Sequence, residues 1–114
     1  MEPEKIQKGA EMVVPAAEEA KALVRVLQEL QADFPTQTNA LLTLLGNRRI
    51  NLTAILKRLV NKDQPDEIVK MRVLMYEGID AADTIAQKSG QEAADAKLKQ
   101  VVEDIADILK KFQI

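Results

Sequence analysis

The sequence has no cysteine, no histidine and no tryptophan. Without cysteine there is no disulfide, no thiolate nucleophile, no zinc–thiolate site and no iron–sulfur cluster. Without histidine the commonest general base and the commonest transition-metal ligand are missing. Aromatic residues are scarce: Phe34, Tyr76 and Phe112 are the whole set. No apolar run reaches the ~20 residues that span a bilayer. The opening Met1-Glu2-Pro3-Glu4-Lys5 is charged with no apolar stretch behind it, unlike a secretory signal. The expectation is a soluble intracellular, cytoplasmic chain.

What is present is 114 residues, 46% of them hydrophobic and 30% charged. That is the length of one domain, 1–114, and it is too apolar for a disordered chain. Breakers cluster at 33–39, 61–65 and 89–90, around Pro35, Pro65 and Gly90, and cut the chain into four long segments. There is no sustained alternation of period two and no Asn-Gly or Asp-Gly hairpin, so strands are not expected. Apolar residues step by fours and threes instead, the helical period. The stripes run through Ile6, Ala10, Val13, Ala17, Ala20, Val24, Leu27, Gln31 and Phe34; through Leu41, Leu45, Arg48, Leu52, Ile55 and Leu59; through Ile68, Arg72, Met75, Ile79, Ala82 and Ala86; and through Ala94, Leu98, Val101, Ile105, Ile108 and Phe112.

The spacing predicts helix A to about residue 33, B over about 36–62, C over about 65–88 and D over about 91–113. Pro15 lies inside the A stripe, where a proline removes one hydrogen bond and clashes with the preceding turn. Helix A is therefore expected to be kinked or broken near 11–15. Gly46 interrupts B, but the stripe keeps phase across it, so B is read as continuous. Long helices joined by short links run antiparallel, which gives an all-α, up-down-up-down four-helix bundle. A three-helix bundle with an N-terminal arm is the alternative.

The chemistry that this pattern excludes is broad. A di-iron bundle needs Glu-x-x-His motifs, and the A and D stripes carry no acid. Neither a P-loop nor a dinucleotide-binding glycine turn is present. Ser89, the only serine, precedes Gly90 in a turn. No lysine falls on a stripe, where desolvation would activate it. No enzyme activity, cofactor or metal is expected. Tyr76 reads as a core-edge residue with its hydroxyl in water, and Met71 and Met75 as core filling. Two arginines fall on stripes. Antiparallel registers place Arg48 near Asp83 and Arg72 opposite Asp107, and both are read as structural ion pairs that fix helix register.

Charge is distributed unevenly. Residues 35–62 carry Arg48, Arg49, Lys57, Arg58 and Lys62 and no acid, within a chain whose net charge is −2. These bases scatter around helix B, which suits a cationic helix between acidic neighbours better than a nucleic-acid stripe. The face of B opposite its stripe is poor in charge, and Val73 and Leu74 lie off the stripe of C. Such faces are candidate interfaces. The expected function is a non-catalytic adaptor or scaffold module that docks a partner helix, or a second copy, through Leu42, Gly46, Arg49, Ile50, Thr53 and Lys57, with Val73 and Leu74. The alternatives are an anion site for acidic peptide, phosphoinositide or nucleic acid at Arg49, Lys57, Arg58 and Lys62, or a protomer of a helical assembly.

Overall fold

The computed structural model describes residues 15–112, which form five helices and no strand. Helix α1 (Ala16–Asp33) begins after Pro15, whose carbonyl accepts the amides of Glu18 and Glu19 at 3.0 and 3.1 Å. The part of helix A before Pro15 lies outside the described residues. Helices α2 (Pro35–Asn47) and α4 (Pro65–Ser89) each open on proline, where a helix has no use for an amide. Gly90, at φ 92°, stops α4, and α5 (Gln91–Phe112) follows at once, with Lys110 and Lys111 in its last turn.

The expected continuous helix B is two helices, α2 and α3 (Leu52–Asn61). The break is a hydrogen-bonded turn of the Schellman type. The Arg49 amide donates to the Gly46 carbonyl and the Ile50 amide to the Leu45 carbonyl, both at 2.9 Å. Arg49 occupies the left-handed position, at φ 58°, that glycine usually takes. Ile50 follows it and folds onto the core, as the apolar residue after this turn commonly does. Asn51 then caps α3 by accepting the Ala54 amide at 3.1 Å. Asp63, at φ 53°, ends α3 through the same pair of bonds, from its own amide to Val60 and from Gln64 to Leu59.

Helices α4 and α5 share the largest interface. Gly78 meets Val101 there so closely that a Cβ on the glycine would stand 2.3 Å from Val101 Cγ2. Lys111 also reaches Glu67, so the two helices run antiparallel in the register expected of a turn at 89–90. Gln37 pairs with Gln91 and Arg48 with Glu103, so α2 runs along α5 in the same sense. Helix α1 lies along α4, and α3 packs against both. Leu23, Leu41, Leu59, Met71, Ile79 and Leu98 are among the fully buried side chains of one apolar cluster. Thr38 is buried beside them and donates to the Leu30 carbonyl at 3.0 Å.

Several expected placements change. On α1 the buried residues are Ala16, Leu23 and Leu30, one position away from the expected Ala17, Val24 and Gln31. That rotation puts two leucines inside in place of a valine and a glutamine, which removes more apolar surface from water. Arg48 is exposed at the end of α2 and pairs with Glu103, not with Asp83, because the helix stops before it can enter the core. Arg72 pairs with Glu19 of α1 at 2.8 Å, not with Asp107. The α4–α5 register is as expected, but Arg72 leaves α4 on the flank that faces α1.

Candidate functional site

Helix α1 is flanked by two apolar concavities of opposite charge. Between α1 and α3 lies a groove of about 350 Å³ walled by Ala20 and Val24 on one side and by Thr53, Leu56, Lys57, Val60 and Asn61 on the other. It exists because the rotation of α1 that buries Leu23 turns Val24 outward, to 45% exposure. Leu56 and Val60 supply the apolar wall of α3, the helix whose stretch of sequence has no acid. Among the described residues, the one charge lining this groove is the ammonium of Lys57, and no carboxylate lies within ion-pair distance of it.

On the other flank, between α1 and α4, a concavity of about 310 Å³ is lined by Val26, Glu29, Arg72, Val73, Tyr76 and Glu77. Val73 and Tyr76 are 43% and 52% exposed. Arg72 is already neutralised by Glu19. Glu29 and Glu77 have no cation within ion-pair distance among the described residues, so this surface is acidic in effect.

The eight residues expected to form one docking face do not share a face. Thr53 and Lys57 line the α1–α3 groove, and Val73 lines the α1–α4 surface. Leu74 is half-buried on the far side of α4, beside Glu67 and Ile108. Leu42 and Gly46 are exposed on α2, and Arg49 is exposed in the turn after it. Ile50 is half-buried against the core, because the Schellman turn replaces the outward helical face on which it was expected. Of the basic set, Lys57 lines the groove, Arg58 lies in the last turn of α3 and Lys62 caps that helix. Val24, Leu56 and Val60 were missed as residues of the groove, and Tyr76, expected at the core edge, is 52% exposed. Only the alternation of leucine and valine at 23–24 hinted that Val24 faces out.

A third concavity holds a charge cluster at the start of α4 and the end of α5. Glu67 is buried, with Lys111 Nζ 3.1 Å from Oε2 and Lys70 Nζ 3.3 Å from Oε1. The Lys70 contact is an ion pair without the geometry of a hydrogen bond. Burial pushes the Glu67 pKa up, but the attraction of Lys111 and Lys70 outweighs it and holds the carboxyl below its ordinary value. Such a carboxylate stays ionised at neutral pH and is a weak base.

Among the described residues no group of three or more acidic side chains is placed to hold a metal ion, and no helix is long and apolar enough to cross a membrane. Compared with known proteins, the chain matches no family model, no curated protein and no solved structure.

Proposed function

We propose that the chain is a single-domain, non-catalytic interaction module, an adaptor or scaffold, whose α1–α3 groove takes an acidic amphipathic helix. The scaffold is read as four columns, with α2 and α3 sharing one and each column antiparallel to the next along the chain. The observation that carries the reading is the lining of the groove: among the described residues, four apolar side chains and three polar ones that include a single lysine and no acid. A helix that presents apolar residues at i, i+4 and i+7 buries them in such a groove, and a carboxylate on its flank meets Lys57. The apolar wall supplies affinity, and the ammonium supplies orientation. The basic residues of α3 point in different directions, so no observation favours a separate anion site.

The test is calorimetric titration with a synthetic helix bearing leucine at i, i+4 and i+7 and glutamate beside them. Binding to the wild type is expected. Val24→Asp and Lys57→Glu, both at exposed positions, are each expected to weaken it about tenfold or more. No heat of binding up to about millimolar peptide, the weak end of specific recognition, overturns the reading.

A further inference from the structure

The outer side of α4 has the pattern that the groove requires. Val69, Val73 and Tyr76 stand at i, i+4 and i+7, and Glu77 and Asp80 flank them. Val73 and Tyr76 are among the most exposed large apolar side chains of the molecule, and Val24 of the groove is a third. The two surfaces lie on opposite flanks of α1, one acidic and one basic. Neither is covered by another helix of the described chain.

We infer that the occupant of the α1–α3 groove is the Val73–Tyr76 strip of a second copy of this chain, an inference that rests on the groove reading above. Tyr76 and Val73 of one copy cover Val24 and Leu56 of the next, and Glu77 faces Lys57. The contact joins two different surfaces, so it is heterologous. Each copy keeps one free strip and one free groove, and copies add head to tail. Like charges oppose the other pairings, groove to groove and strip to strip, and so help to fix which surfaces meet.

The experiment is sedimentation equilibrium on the full chain at rising concentration, with two charge reversals. The wild type is expected to exceed its monomer mass of 12.7 kDa, increasingly so with concentration and less so in high salt. Lys57→Glu alone sets acid against acid, and Glu77→Lys alone sets base against base. Each is expected to weaken association about tenfold or more. An equimolar mixture of the two variants restores opposite charges at the contact and is expected to regain the wild-type mass, a rescue that a folding defect cannot produce. A wild type that stays monomeric at millimolar concentration, or a mixture no heavier than its separate components, overturns the inference. If the synthetic helix still binds in that case, the groove reading stands without self-association. If it does not bind, both fall.

Discussion

The chain contains two stretches that look alike in sequence and fold differently. Residues 35–61 and residues 65–89 each open on proline, carry an apolar stripe and hold one interior glycine. The second stretch is one helix, and the first is two. The two glycines explain little of this by propensity, since each costs about 1 kcal/mol relative to alanine in a helix interior. Their surroundings differ. Gly78 is buried, and its missing side chain lets α4 approach Val101 of α5. Gly46 is exposed, with nothing within 4 Å of where its Cβ would be, and it lies in the last turn before the break. A glycine inside a helical pattern thus marks a close approach in one case and a helix end in the other. The residues that decide lie elsewhere: Val101, on another helix, for the first, and Ile50 with Asn51, a few positions on, for the second.

The same substitution at both glycines gives the largest expected contrast. Gly78→Ala should destabilise the fold by about 1–3 kcal/mol, because the stiff β-branched Val101 cannot yield without moving α5. Gly46→Ala should be neutral or stabilising by up to about 1 kcal/mol. Denaturant midpoints for the two variants check this, and equal shifts would erase the distinction. Repeating Gly78→Ala in a Val101→Ala background should show a coupling between the two sites, since the second change removes the clash.

A smaller effect is expected at the clamp that joins the ends of α4 and α5, a feature that α2 and α3 lack. Glu67 has a lowered pKa in the folded chain. A carboxyl of this kind adds stability above its unfolded pKa, about 4.3 for glutamate. That stability is lost as pH falls through the lower folded value. Glu67→Gln should therefore destabilise the protein near neutral pH, on the order of 1 kcal/mol given how exposed the two lysines are. It should also flatten the acid limb of a stability–pH curve. A variant with the wild-type slope below pH 4.3 would remove Glu67 from the account.

The smallest effect belongs to the break. Arg49 holds a positive φ without the freedom of glycine, so Arg49→Gly should stabilise by about half a kcal/mol. Chemical denaturation measures it, and a loss of stability would mean that the arginine side chain contributes more than its backbone costs.

Much of the fold was legible in advance because its signals are local. Pro35, Pro65 and Gly90 act on their own backbone, and α2 begins, α4 begins and ends, and α5 begins where those residues require. The register of α4 on α5 followed from the short turn at 89–90. The break at 48–51 was less legible because its left-handed residue is an arginine. The two clues on the page were Ile50 directly before Asn51, and Asn51 three residues before an apolar run. The face of α1 was misread by one residue, since alanine and valine at 16–24 fit either phase and only the bulk of Leu23 and Leu30 decides. That error is also why the site was only partly legible. Thr53 and Lys57 were among the residues expected to dock a partner, but the groove they border depends on Val24 facing out, and Val73 lines the α1–α4 surface instead. The ion pairs of Arg48 and Arg72 were misassigned for a related reason: register says which residues lie level, and not which flank a side chain leaves by.

The exposed ring of Tyr76 has one more consequence. It is the only tyrosine in a chain without tryptophan, so nearly all of the near-ultraviolet absorption and emission comes from a single phenol on the outer side of α4. That phenol already stands half in water in the folded chain. Unfolding should change its light emission little, whereas covering the strip moves the ring into an apolar setting and should change it clearly. Absence of tryptophan makes the molecule nearly silent to its own unfolding and gives its α4 strip an optical reporter with no competing background.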